Sequence, residues 1–265
     1  MRYTGIDHFG GENGYDVEGR WLPRVTRILE IKSKPGLERF LREVGDYSSA
    51  ETIKVKSAEE GTRIHEAAEK ILARQAVQVP DDIRPAMDAL ESFRAASGIM
   101  VFPEFIERRI WSDTYRYAGT IDALAMIGGR SGILDIKTSQ GFYPEFNLQT
   151  AAYASALREA TVRKSIGCTV PIETRWILRI NQHAVCAHCG ATKRVKGGRT
   201  KVRENGRTNG GCLEAAKNHE WGALRGDVEL REISNSMHGD MRAFLGAKIL
   251  WEWEHGYWLR RIGYL

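Results

Sequence analysis

The amino-acid sequence predicts an α/β protein carrying an inserted metal-binding module, and three observations lead there. Helical spacing of apolar residues up to Gly98 gives way to strand-like alternation from Val101 and returns after Pro144. The apolar stretch GILDIK, of the kind that forms a buried strand, holds Asp135 and Lys137. Residues 181–226 separate the last two strand candidates and contain three of the four cysteines. At 265 residues the chain fits one large domain, or one domain with an insertion.

Residues 1–20 are Gly-rich and polar with little periodicity, and read as a flexible N-terminal arm. WLPRVTRIL gives a short extended segment leading into a helix. PGLERFLREVG follows with Leu37, Phe40, Leu41 and Val44 at helical spacing and Gly45 as a stop. The sequence from Ser57 to Glu60, SAEE, has the form of a capping box, which predicts a helix from Ser57 to about Arg74. DDIRPAMDALESFRAASG predicts another through Ile83, Met87, Leu90 and Phe93, closed by Gly98. VFPEFIERRIW, YRYAGTIDALAMI and GILDIKTS are three strand candidates, the last two joined by the hairpin signal GGRSG. A helix is expected from about Pro144 to Glu159, then two strands, ETRWILRI and DVELREI. SMHGDMRAFLGAKILWEWEHG closes the chain as a helix with Met241, Phe244, Leu245, Ile249 and Trp253 on its apolar face.

Composition narrows the class. No apolar run approaches the roughly 20 residues that cross a bilayer, so no membrane association is expected. The first 25 residues lack a basic segment followed by an apolar one, so an intracellular, cytoplasmic protein is expected. In a reducing compartment four cysteines point to metal before disulfide. Residues 181–226 hold nine Lys/Arg against three Glu, a net +6, which leaves the rest of the chain at −1. The basicity belongs to the cysteine-bearing segment, and a connection this long is expected to have structure of its own.

The chemistry gathers between Tyr117 and Tyr153. Hard divalent cations such as Mg²⁺ or Mn²⁺ need one or two rigid carboxylates, and Asp122 in the TID run and Asp135 in the LDIK run supply them from adjacent strand ends. Alternation puts Asp135 and Lys137 on one face and Ile136 on the other, leaving the Ile136 backbone carbonyl as a further ligand. A cation there would lower the pKa of a coordinated water and offset charge on a phosphate, while Lys137 positions that water or stabilises the transition state. A bare D-x-K triplet is usually an ordinary surface pair; the apolar strand around this one argues otherwise. Glu107, in the preceding strand candidate, reads first as a solvated residue and second as an extra acid.

GTID, a hairpin, ILDIKTS and then QTAAYA resemble motifs of the PD-(D/E)xK nuclease superfamily, specifically its RecB-like branch, which includes phage exonucleases and the mitochondrial genome maintenance exonuclease. The resemblance spans about residues 21–180 and resumes at 227–255. It implies a restriction-endonuclease-like core, a central mixed sheet flanked by helices, over 21–180 and 227–265. It also implies metal ligation by Asp122 and Asp135, catalysis by Lys137, and a site-organising or DNA-contacting role for Gln149 and Tyr153, which are four apart on one helical face. The upstream GTRIHEAAE matches the G-T-x-x-H helix of that branch, which makes His65 a further metal ligand by resemblance.

Residues 181–226 read as a zinc-ribbon-like insertion. CAHCG is a CxxC-G knuckle from Cys186 and Cys189; Cys212 with His219 or His188 would complete a tetrahedral Zn²⁺ site. His219 is preferred because it pairs with Cys212, whereas His188 lies inside the knuckle. Cys168 is the competing fourth ligand, but it precedes the ETRWILRI strand. Unligated thiols are the remaining reading, opposed by the segment's lack of apolar residues with which to order itself. Some RecB-like nucleases carry an iron–sulfur cluster with one cysteine upstream of the core; here no cysteine precedes Cys168. The loop from Lys193 to Arg207, with Arg194, Lys196, Arg199, Lys201 and Arg203, is a candidate DNA-backbone track.

These observations predict a DNA nuclease dependent on Mg²⁺ or Mn²⁺ with structural zinc. By resemblance it acts on DNA ends in recombination, repair or phage DNA processing, and a helicase or recombination protein is a possible partner. A structure-specific or restriction-like endonuclease is the same-fold alternative. A non-catalytic DNA-binding or docking protein with an idle nuclease fold is the other.

Overall fold

Strand alternation sets the layering of the molecule. The computed structural model describes residues 3–32, 35–203, 212, 219–233 and 237–265. In chain order its elements are α1 (Ile6–Asn13), β1 (Gly14–Val17), β2 (Arg20–Pro23), α2 (Val25–Ile28), α3 (Pro35–Val44), α4 (Tyr47–Leu72) and α5 (Arg84–Ser97). There follow β3 (Met100–Val101), β4 (Arg108–Ser112), β5 (Tyr117–Ile121), β6 (Ala123–Ile127), β7 (Arg130–Lys137), α6 (Pro144–Ala156) and α7 (Ala160–Ile166). Last come β8 (Thr174–Val185), β9 (Thr192–Lys196), β10 (Arg199–Arg203), β11 (Arg225–Glu232), α8 (Met237–Glu254) and α9 (Gly256–Arg261).

A mixed sheet runs β10-β9-β8-β7-β6-β3, with β11 also paired to β8. β7 and β8 are parallel, joined by a crossover through α6 and α7, and the remaining pairs are antiparallel. Leu134 and Ile136 of β7 point into a core with Ile64 and Ala68 of α4, Met87 and Leu90 of α5, and Leu178 of β8. Ile133, on the opposite face, meets Ala151 and Tyr153 of α6 and Phe244 of α8. Helices therefore flank a central mixed sheet, as expected. The two-residue turn between β6 and β7 is Gly128-Gly129 with φ of 58° and 78°, the left-handed pair a type I′ hairpin requires. Among the described residues no helix is long and apolar enough to cross a membrane.

Four local expectations change. Residues 3–20 are not a loose arm: they form α1 and the β1–β2 hairpin, and Phe9 is fully buried with its ring stacked on Trp258 at 5.7 Å. Apart from buried Asn13 the polar residues there face solvent, while Tyr3, Phe9 and Val17 carry the packing, a pattern too sparse to register as periodicity. Phe9→Ala is expected to cost about 3–5 kcal/mol in urea unfolding, as for a large core truncation; an unchanged midpoint would restore the arm.

α4 begins ten residues before Ser57, because extended Asp46 accepts the Ser49 N–H at 2.7 Å and caps the helix. Ser57 and Glu60 are instead a docking face for the β9–β10 turn. Glu60 Oε2 accepts the Gly197 N–H at 3.2 Å, and a Cβ at Gly197 would fall 2.2 Å from Ser57 Oγ. Leu37's side chain lies outside the described residues.

YRYAGTIDALAMI is two strands in two sheets: β5 pairs with β4, β6 with β7, and Asp122 stands at the break. Finally, α8 buries Met241, Phe244, Lys248 and Trp251, leaving Ile249 and Trp253 exposed. Lys248 takes a place on the buried face because Glu252 neutralises it at 2.5 Å. The start of this helix at Ser236 lies outside the described residues.

Candidate functional site

Asp122 does not continue the ladder between β6 and β7; its side chain substitutes for it. Oδ2 accepts the Ile136 N–H at 2.5 Å, and the Asp122 carbonyl accepts the Glu107 N–H at 3.1 Å. The carboxylate is thus fixed at the end of β7, beside Asp135. Asp135 is 1% exposed and projects onto the opposite face from Ile136. Its Oδ1 accepts from Lys137 Nζ at 2.9 Å and from Gln149 Nε2 at 3.0 Å, and its Oδ2 lies 2.8 Å from the same ammonium. Gln149 also reaches the Tyr153 hydroxyl at 3.2 Å, so the two α6 residues form a brace behind Asp135.

α4 brings His65 to the same place. Its Nε2 lies 3.1 Å from Asp122 Oδ2, and its Nδ1 lies 2.5 Å from Glu69 and 3.8 Å from Glu107. The residues singled out from sequence as catalytic, Asp122, Asp135, Lys137, Gln149, Tyr153 and His65, are therefore brought together. Ile136 joins them through its backbone N–H. Two acids add to the set. Glu69 was missed although it is i+4 from His65, a spacing that places both on one helical face. Glu107 reads from sequence first as a solvated strand residue and second as an extra acid; it precedes β4 at φ 48°, which turns it toward His65 and favours the second.

The electrostatics show an excess of carboxylate. Burial works against charge on His65, but the hydrogen bonds its ring donates to Asp122 and Glu69 outweigh it and raise its pKa to about 10. Burial, then the charges of Glu69 and Asp122, push Glu107 up to about 7. Burial pushes Asp135 up to about 6 against the pull of Lys137. Burial also opposes charge on Asp122, yet His65 and Lys137 hold it below the usual carboxylate range. A ligand atom from each of His65, Glu107 and Asp122 lies within 4.8 Å of the others, a group able to hold a metal ion.

A second group of this kind is Cys186, Cys189, Cys212 and His219. Cys186 Sγ and Cys212 Sγ are 3.8 Å apart, and Cys189 Sγ is 3.4 Å from His219 Nδ1. A tetrahedral centre with bonds of about 2.3 Å to sulfur and about 2.0–2.1 Å to nitrogen calls for edges near ~3.8 and ~3.6 Å, so the set fits zinc. Backbone N–H groups of Cys189 and His188 aimed at Cys186 lower its thiol to about 6, while burial and the neighbouring thiols raise Cys212 to about 11. His188 is turned to the surface, 2.9 Å from Glu220. Cys168 is buried elsewhere, its thiol facing the Val170 carbonyl at 3.8 Å.

The basic residues separate into two groups. Arg194 Nη2 and Lys196 Nζ donate to the Thr138 carbonyl at 2.6 and 2.8 Å, just past Lys137. Arg199 pairs with Glu43 and lies over Phe40, and Lys193 lies 5.0 Å from the Trp221 ring centre. These four hold the β9–β10 hairpin in place, which the sequence reading of a free phosphate track did not foresee. Lys201 and Arg203 are exposed. The end of that track, residues 204–207, lies outside the described residues. Residues 181–185, assigned from sequence to the insertion, are the end of β8, and β9 continues the main sheet. No family model matches the chain, and no curated protein matches it.

Proposed function

We propose that the chain is a metal-dependent deoxyribonuclease of the PD-(D/E)xK superfamily, RecB-like branch, acting on DNA ends. The observation that carries this reading is the convergence of Asp122, Asp135 and Lys137 at adjoining strand ends, with His65 3.1 Å from Asp122. That spacing fits neighbouring ligands on a six-coordinate cation with bonds of about 2.1 Å. Asp122, Asp135, His65 and Glu107 would hold Mg²⁺ or Mn²⁺, and the imidazole donor tilts the choice toward Mn²⁺. In an extended strand a residue's N–H and C=O point to the same side, so the Ile136 carbonyl faces the Asp122 edge as well. The bound cation would supply Lewis-acid charge to the phosphate and make a water more acidic.

The protein's own groups do the rest. Lys137 Nζ, bound to Asp135, presents a fixed positive charge where a pentavalent phosphorane would develop negative charge. Gln149 holds the Asp135 carboxylate in one orientation, and the buried Tyr153 hydroxyl holds Gln149. No side chain needs to act as a nucleophile.

The test is cleavage of end-labelled linear and closed circular DNA, single- and double-stranded, with Mg²⁺, with Mn²⁺ or with neither. Loss of linear DNA alone, dependent on the added cation and at least ~100-fold slower in Lys137→Ala, is expected. Cutting of circles would move the assignment to an endonuclease. No cutting with retained DNA binding would leave an idle nuclease fold.

A further inference from the structure

The face of the sheet that carries Asp135 and Lys137 does not end with β7. In the parallel register Lys137 stands opposite Arg179, and alternation along β8 puts Asn181, His183 and Val185 on the same face. Val185 pairs with Thr192 of β9, and Arg194 and Thr192 pair with Lys201 and Arg203 of β10. The result is a cleft of about 180 Å³ beyond the end of β7, walled by Gln140, Arg179, His183, Arg194, Lys201 and Arg203.

Its floor is built. Arg179 is 8% exposed and fixed by Asp227 at 2.7 Å and Glu229 at 3.0 Å, and Arg194 is fixed by the Thr138 carbonyl. Its rim is not neutralised: among the described residues no carboxylate lies in ion-pair range of Lys201 or Arg203. Four cations thus line one concavity with a single carboxylate, Asp227. The neighbouring groups register that excess. Burial, reinforced by Arg179 and Arg203 and opposed by Glu60, lowers Arg194 to about 10. Burial and Arg194, again against Glu60, lower Lys196 to about 8.

We infer that this cleft is a phosphate subsite, taking a backbone phosphate of the DNA strand next to the one being cleaved, with Lys201 and Arg203 as its ligands and Arg179 and Arg194 as its floor. The inference rests on the nuclease reading and deepens it. Adjacent strands are about 4.8 Å apart, so a strand whose scissile phosphate meets Lys137 passes directly onto Arg179. The insertion then completes the substrate path as an extension of the catalytic sheet. Lys196 and Arg199 have a different task, holding the hairpin against α3, α4 and Thr138.

The experiment measures binding of a fluorescent single-stranded deoxyoligonucleotide to the full chain in an Asp135→Asn background with Mg²⁺ present, over a range of salt. Lys201→Gln with Arg203→Gln is expected to weaken binding about tenfold and to make the slope of log K against log salt shallower by about 0.7, the contribution of one phosphate on a single strand. Arg203→Lys should retain most of the affinity, and Lys164→Gln on α7 should change nothing. Melting curves report whether the variants keep their fold, and zinc content whether they keep the adjoining cysteine cluster.

A second measurement leaves the protein intact: replacing one phosphate beside the scissile position with an uncharged methylphosphonate should cost the parent protein about tenfold and the double variant almost nothing. Equal losses in both, or an unchanged slope in a zinc-replete double variant, would overturn the subsite. Cleavage by the wild type with no effect of these changes would sink the subsite alone; slope changes without any cleavage would sink the nuclease reading alone.

Discussion

Asp135→Asn is expected to reduce DNA cleavage by about 10³-fold or more, some ~4 kcal/mol of transition-state stabilisation, while the protein stays folded. Both halves follow from where the carboxylate sits. It is buried, and Oδ1 alone accepts from both Lys137 and Gln149 while Oδ2 accepts no hydrogen bond, so an isosteric amide still offers an oxygen to each donor. The melting temperature should move by only a few degrees, as for a change of about 1 kcal/mol in a chain of this size. What the amide cannot do is supply anionic charge to a hard cation or to the Lys137 ammonium.

Residues acting through Asp135 should rank below it. Gln149→Ala and Tyr153→Phe are expected to lose about 10–100-fold, the range for groups that orient a metal ligand. Steady-state and single-turnover rates on linear DNA, with melting curves beside them, check the ranking. Full activity in Asp135→Asn would remove the site from this face altogether.

The ranking reflects which parts of the site a sequence can disclose. Asp122, Asp135 and Lys137 were readable because strand alternation and a tight hairpin fix them relative to one another within sixteen residues of chain. His65 needed a resemblance, since nothing local says that α4 crosses the ends of β6 and β7. Glu69 then followed from helical spacing, but only once His65 was placed. Glu107 is offered by the sequence only as a second choice, because its position depends on a positive φ and on an N–H given to the Asp122 carbonyl.

The layered fold was legible for a similar reason. Its central strands β7 and β8 are long runs buried on both faces, whereas the α4 cap hinges on one Asp side chain and the N-terminal packing on a few scattered residues, Tyr3, Phe9 and Val17. The apolar face of α8 was misjudged because buried Lys248, paired with Glu252, interrupts the hydrophobic pattern. The basic hairpin shows the limit most clearly. Nine cations in one segment read as a surface for nucleic acid, yet Arg194, Lys196 and Arg199 are spent on internal bonds, and no pattern in the segment separates them from Lys201 and Arg203.

The cysteine cluster gives the second large expected effect. The protein should contain one zinc per chain by atomic emission, and Cys189→Ser or His219→Ala should bring that close to zero. The knuckle has little else to hold it. Cys186 and Trp221 form a single bridge, flanked by the Ala187 N–H to the Glu220 carbonyl at 2.9 Å and the Gly222 N–H to the Val185 carbonyl at 3.0 Å. The ring of His219 rests on Trp221 at 4.7 Å. A segment with so few apolar contacts orders itself through a metal, so its loss should open the chain near 186–191 and 219–222 to limited proteolysis.

The effect should stay local, because the hairpin has separate anchors in Thr138, Glu60 and Glu43. Two further variants test the ligand set itself. His188→Ala should keep its zinc, since that ring is engaged with Glu220, and Cys168→Ser should keep it too, since that thiol is buried away from the cluster. Zinc lost in Cys168→Ser but retained in His219→Ala would instead require an all-cysteine site.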